Sequence, residues 1–230
     1  SYAFGALAAR VFFKGRENTP VFELLISVMN NIFIGLPIAE ALYGATAVLY
    51  CALSCIPYNL LLYSYGVWRL RSGKALGGGA AFKLKDVFTV PLFATLAALL
   101  IFIFDIQLPY ILRELISTTA SATMPASMIV IGATLGGVKI ADGFKQRYVY
   151  LISLMRLIIV PAAVWFIVGL LSTDSMLVST CTIIAACPSA VVVSILALQN
   201  DYDAAFSSNA VLVTTALSMI SLPVWVYILG

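Results

Sequence analysis

Long and nearly uninterrupted apolar segments constrain this chain more than any other feature. Of its 230 residues, 62% are hydrophobic and 10% are charged, whereas a typical soluble domain carries about 25% charged residues. In lipid, every backbone N–H and C=O needs an internal partner, which leaves helices or closed barrels. Because barrel strands alternate apolar and polar residues and these segments do not, the sequence predicts an all-α integral membrane protein.

The polar interruptions divide the chain into one partial span and seven full spans. A full span needs about 20 apolar residues, and the opening run, residues 1–13, is shorter. Since the first residue is Ser1 rather than Met, we expect native residues to precede it; a short re-entrant or surface helix is the alternative. The predicted full spans are residues 20–43, 45–68, 87–104, 108–136, 148–171, 176–198 and 204–229.

The basic residues predict the orientation. All 13 Lys and Arg residues except Arg113 and Arg156 lie in or beside every second loop. Loops rich in Lys and Arg stay cytoplasmic, so we expect a multi-pass protein of the cell's inner (plasma) membrane with its basic loops inside. The net charge of +3 then reflects topology rather than nucleic-acid binding. The glycine-containing segment 74–85 is predicted to be a flexible cytoplasmic linker.

The residue types count against several classes of protein. The chain has no histidine, so it has no Ser-His-Asp triad, and its four cysteines lie in apolar segments without metal-ligand spacing. Buried thiols commonly behave as small hydrophobic groups. Neither a zinc-protease, a serine-hydrolase nor a nucleotide-binding motif occurs. The sequence predicts no enzyme, metal or cofactor, with a membrane enzyme or sensor as the alternative from another class.

Two predicted spans are interrupted in a similar way, at residues 30–37 and 185–189. Pro37 and Pro188 each remove a backbone donor, and the freed carbonyls are tolerated in a membrane only within protein or along a wet cavity. Asn59 and Asn209 follow the two prolines at similar distances, although the two spans start on opposite sides of the membrane. Such an inverted repeat with paired broken helices predicts a transporter binding site near the midplane.

The predicted site is an anion site. Half-helix N-termini carry about half a positive charge each, and their N–H groups hold carboxylates. For the asparagines, an interhelical hydrogen bond is the alternative role. The predicted substrate-binding residues are Asn30, Asn31, Pro37, Asn59, Pro188, Ser189 and Asn209.

Two ionisable residues within spans are candidates for charge pairing or coupling. Glu40 follows Pro37 by one helical turn. Three roles are open for it: it carries a coupling proton, it pairs with a cation, or it lies exposed near the outer surface. Arg156 lies about 13 Å along its helix from Arg147. It attracts the substrate, pairs with an acid, or extends back to the cytoplasmic interface.

The segment 30–37 resembles the N-[ST]-G-F-x-G-x-P signature of the auxin efflux carrier family, with Ile32 where the signature has glycine. Residues 187–223 resemble the family's carboxy-terminal pair of helices. The resemblance implies ten helices in two inverted repeats of five, of which this chain would lack the first two and most of the third. It also implies a transport part, residues 1–73 and 139–230, and a scaffold, residues 86–138, with Pro37 and Pro188 at the crossover.

The resulting hypothesis is a secondary transporter for a small organic anion such as a mono- or dicarboxylate. It works by alternating access around the Pro37/Pro188 helix crossing. A Na⁺- or H⁺-coupled symporter or antiporter with a related broken-helix fold is the alternative. The expected partners are the lipid bilayer and the anion, without nucleic acid; a coupling proton or Na⁺ ion and a homodimer stay open.

Overall fold

The computed structural model describes residues 1–16, 18–74, 90–136 and 146–229, and these are predominantly helical, as predicted. Nearly all of the predicted linker, residues 74–85, lies outside the described residues. Five-residue π turns join the first break to α3 (Asn31–Gly35), α4 to α5 (Leu62–Gly66) and α8 to α9 (Met155–Ile159). The helices are α1 (Tyr2–Phe12), α2 (Thr19–Ser27), α3 (Leu36–Tyr43), α4 (Ala45–Leu61), α5 (Val67–Lys74), α6 (Val90–Ile103), α7 (Tyr110–Gly136), α8 (Arg147–Leu154), α9 (Val160–Leu171), α10 (Ser175–Ala186), α11 (Val192–Gln199) and α12 (Ala204–Leu229).

Three helical stretches of the described chain are long and apolar enough to cross a membrane. They are Thr46–Gly73, Arg147–Leu171 and Ala204–Leu229, and they match three of the predicted full spans. The two spans predicted to be interrupted are each built from two shorter helices, α2 with α3 and α10 with α11. Helices α6 and α7 account for the remaining two predicted spans.

The first break lies upstream of its predicted position. Helix α2 ends at Ser27, Val28 is extended with φ −95° and ψ 113°, and helical structure resumes at Asn31. Pro37 is the second residue of α3, which continues directly from the π turn Asn31–Gly35, and a widened turn of this kind accommodates a proline that lacks an N–H donor. The span predicted to be interrupted at residues 30–37 is therefore non-helical at residues 28–30, and Pro37 lies within the second half-helix.

The second break lies where the sequence predicts it. Helix α10 ends at Ala186, and Cys187 is extended with φ −61° and ψ 148°. The ring of a proline disfavours the helical conformation in the residue before it, so Pro188 ends α10 through its effect on Cys187. Helix α11 resumes at Val192.

Two of the three π turns precede a proline at the same distance. The turn Asn31–Gly35 ends two residues before Pro37, and Met155–Ile159 ends two residues before Pro161. A proline cannot donate to the carbonyl four residues back and its ring pushes that carbonyl away; a widened turn accommodates the displacement.

Helix α2 is at the centre of the packed core. All of its residues from Pro20 to Ser27 are buried, as expected of a helix that is apolar on most sides. Helix α1 packs closely on it, because a Cβ atom at Gly5 would lie only 2.0 Å from the Ser27 hydroxyl. Helices α4, α5, α8, α11 and α12 complete this core. Among the side chains that the structure describes in α6 and α7, none is buried.

Candidate functional site

The two broken helices cross where both are extended. Met29 and Ser189 form an antiparallel bridge. The N–H of Asn30 donates to the Pro188 carbonyl at 2.9 Å, and the N–H of Ala190 donates to the Val28 carbonyl at 3.0 Å. The backbone groups left unpaired by one break are thus satisfied by those of the other, as the membrane interior requires.

The last carbonyls of α2 accept hydrogen bonds from side chains of other segments. A helix has no internal donors for its final carbonyls, so these side chains fix the end of α2 and the extended residues that follow it. The donors and their carbonyl acceptors are Ser189 to Leu25 (2.7 Å), Arg156 to Ile26 (3.3 Å) and Tyr58 to Met29 (2.7 Å).

A cavity of about 280 Å³ lies beside the crossing, and we call it the crossing cavity. Its lining includes residues 29–33 and 190–192. Each of these two segments leads into the second half-helix of its own broken span. Helix α4 adds Tyr58 and Asn59. Both half-helix N-termini, with their partial positive charge, therefore border the same cavity. None of the described lining residues is acidic.

Three asparagine side chains add amide groups to this cavity. Asn30 and Asn31 are buried, at 5% and 3% exposure, and Asn59 is half-buried. The Asn31 amide donates to the Cys55 sulfur at 3.1 Å, which is a weak acceptor. A carboxylate oxygen is a stronger acceptor than a thiol sulfur.

A second cavity, of about 350 Å³, adjoins the first. The two share Tyr63, Val192 and Ile195, and the second extends to Arg71 and to Asn200 at the end of α11. The second cavity therefore extends from beside the crossing cavity toward the ends of α5 and α11. A larger cavity of about 590 Å³ lies between α8–α9 and α12, but its lining is almost wholly apolar and offers no comparable set of donors.

Comparison with known proteins decides the family. Residues 79–226, more than half of the chain, match the model of a family described as membrane transport protein. The chain belongs to the auxin efflux carrier family of membrane transport proteins. The carrier is also similar to an uncharacterized transporter from Methanothermobacter thermautotrophicus, with 27% identity over 218 residues that cover 94% of this chain and 70% of the relative. Both matches indicate an integral membrane transporter rather than an enzyme.

The carrier brings part of the predicted site together. Asn30, Asn31 and Asn59 all border the crossing cavity. Pro188 and Ser189 lie at the crossing but do not line the cavity, and the Ser189 hydroxyl, which is fully buried, donates to a carbonyl of α2.

Two predicted site residues lie elsewhere. Pro37 is exposed in the first turn of α3, and Asn209 is buried within α12 without lining the crossing cavity. Asn209 is the sixth residue of α12, whereas Asn59 lies near the end of α4. The two asparagines therefore do not occupy equivalent positions, and their similar spacing from Pro37 and Pro188 was misleading because only Pro188 lies at a break.

The two candidate charged residues have opposite surroundings. Glu40 is exposed in α3 and does not line the crossing cavity. Arg156 has 0% exposure, so the alternative in which it extends to the interface is wrong. It forms no ion pair with an acid of the described chain, and its Nε and Nη2 atoms have no hydrogen-bond partner there.

Sequence reasoning did not identify two features near the site. Tyr58 borders the cavity and holds the Met29 carbonyl, and its position next to Asn59 in α4 was the only signal. Glu23 is buried at 2% exposure and pairs with Arg69 at 2.9 Å. The hydroxyl of Tyr65 also donates to Glu23.

Proposed function

We propose that this carrier is a secondary transporter of small organic anions, monocarboxylates or dicarboxylates, and that the anion binds in the crossing cavity. One observation carries the proposal. The N-terminal ends of two half-helices and three asparagines border one cavity, and no described residue of its lining is acidic. Backbone N–H groups and amides bind a carboxylate without a permanent contact to a cation, which favours release.

In this proposal, residues 1–73 and 139–230 form a transport part that moves against a scaffold of residues 86–138, with residues 74–85 as the linker. The distribution of buried residues supports the division. The buried core residues come from the proposed transport part, and no described side chain of α6 or α7 is buried. A weakly packed boundary between the parts is what alternating access requires.

The adjoining cavity supplies the proposed path to one side of the membrane. It runs from the crossing cavity to Arg71, beside the basic loop expected in the cytoplasm. With the basic loops inside and the protein in the inner membrane, this path is cytoplasmic. A cation-coupled carrier has less support, since Glu40 is exposed and lies outside the crossing cavity.

Uptake of labelled carboxylates into proteoliposomes tests the proposal. We expect Asn31→Ala to raise the KM about tenfold, the effect of losing roughly one charge-assisted hydrogen bond. Asn18→Ala is the matched control, because Asn18 precedes the same broken helix at its far end and its side chain makes no capping bond.

Wild-type protein that takes up no carboxylate above the level of empty liposomes would refute the proposed function. An unchanged KM in Asn31→Ala, Asn30→Ala and Asn59→Ala would instead remove the crossing cavity as the binding site.

A further inference from the structure

Arg156 is a buried cation that the described acids do not neutralise. Of the described charged residues, only it and Glu23 are buried, and Glu23 is paired with Arg69 at 2.9 Å. Buried charges in membrane proteins are costly and are usually paired or functional. The guanidinium makes one hydrogen bond, to the Ile26 carbonyl, and two of its nitrogen atoms have no described partner.

The position of Arg156 explains how the protein tolerates this charge. The Ile26 carbonyl lies in the last turn of α2, and the π turn that carries Arg156 also packs against α10. Each of these half-helix C-termini carries about half a negative charge. Together they offset the single positive charge of Arg156.

The crossing is consequently polarised. Two negative and two positive half-helix ends meet at the crossing, so a cation that offsets the negative ends leaves the two positive ends unmatched. These positive ends are the ones that border the crossing cavity, and they amount to about one positive charge. Arg156 does not line the cavity, so it acts on a ligand through the low-dielectric interior rather than by contact.

We propose that the crossing is built for a ligand with a single negative charge and that Arg156 sets this number. The inference rests on the proposed function and deepens it from organic anions in general to monoanions. Once a monoanion is bound, the crossing carries no net charge and moves through the membrane field as a neutral unit. With a dianion bound, it carries one negative charge.

Exchange transport measures that charge directly, because exchange uses only the loaded protein. Proteoliposomes would contain one labelled probe and be diluted into buffer that holds the same probe. A potassium diffusion potential would then be imposed across their membrane. The probes are succinate and its monoamide, succinamate, which have similar shapes and differ by one charge at neutral pH. We expect wild-type exchange of succinamate to be independent of potential and its affinity to be about tenfold higher than that of succinate.

Variants at Arg156 distinguish the effect of its charge from the effect of its packing. Arg156→Gln should weaken succinamate binding about tenfold and make succinamate exchange depend on the potential, whereas Arg156→Lys should keep it independent. A role for Arg156 in packing alone would not move the voltage dependence. The wild-type comparison of the two probes needs no variant, so the inference stays testable if Arg156→Gln does not fold.

Two results would overturn the inference while leaving anion transport intact. One is a wild-type preference for succinate or potential-dependent wild-type exchange of succinamate. The other is potential-independent exchange of succinamate in a folded Arg156→Gln variant. Absence of uptake for every carboxylate would refute the proposed function itself and this inference with it.

Discussion

Replacing Ser189 with alanine separates a ligand contact from a structural bond. From sequence, Ser189 is a substrate-binding residue, but its hydroxyl is fully buried and donates to the Leu25 carbonyl at 2.7 Å. We expect Ser189→Ala to lower the stability of the carrier and to leave the affinity for the proposed anion unchanged.

The size of the expected stability loss follows from the position of the Leu25 carbonyl, which accepts this hydrogen bond. Leu25 lies in the last turn of α2, where the following residues leave the helix and provide no internal donor. A buried carbonyl that loses its partner costs about 1–3 kcal/mol of unfolding free energy. For a chain of this size, 1 kcal/mol shifts the Tm by roughly 2–4 °C, so we expect the Tm to fall by about 5 °C.

The assay is thermal unfolding in detergent, followed by the fluorescence of the three tryptophans, together with the KM for uptake. Ser153→Ala is the matched control. The Ser153 hydroxyl is also buried and donates to the Val149 carbonyl at 2.8 Å, but this carbonyl lies within α8 and keeps a backbone donor. An unchanged Tm with a raised KM in Ser189→Ala would refute the reasoning and restore Ser189 as a ligand contact.

Three further substitutions test neighbouring contacts. Glu23→Gln should lower the unfolding free energy by about 1–3 kcal/mol, because it breaks a largely buried ion pair. The dependence of uptake on a proton gradient should stay as in wild type. Loss of that dependence would instead make Glu23 a coupling residue. Gly35→Ala places a Cβ atom 3.1 Å from the Cys187 sulfur and should at least halve the uptake rate at unchanged expression. Full activity would show that the two broken helices can move apart at this contact without loss of transport. Trp225→Phe removes the 2.8 Å bond to the Leu157 carbonyl and should cost about 1–3 kcal/mol in thermal unfolding; an unchanged Tm would mean that this carbonyl has another donor.

The sequence was sufficient for what depends on composition and local sterics. The helical spans follow from the apolar runs, and the second break follows from the effect of Pro188 on Cys187. The burial of Arg156 depends on the structure. It lies at helical spacing from Val149, Ile152 and Ser153, which form the buried face of α8, but the apolar Tyr150 and Leu154 are exposed, so hydropathy alone does not identify that face.

The first break and the site depend on partners that are distant in sequence. No proline interrupts α2 at Ser27, and the extended residues 28–30 are held by backbone bonds to the second broken helix and by Tyr58. The donor to Leu25 is 164 residues away along the chain. Residue spacing could not supply these contacts, and it placed Pro37 and Asn209 in the site because it took the two prolines as equivalent.

Chain direction explains the arrangement of charge at the crossing better than any single residue does. Each first half-helix runs toward the crossing and each second half-helix runs away from it, so two negative ends and two positive ends must meet there. A buried cation is stable only beside the negative ends, and Arg156 hydrogen-bonds to the last turn of α2. The positive ends are then left to the crossing cavity, where Asn30, Asn31 and Asn59 supply the additional donors. The proposed preference for an anion at this cavity therefore rests on the topology of the paired breaks and on the side of the crossing on which the cation lies.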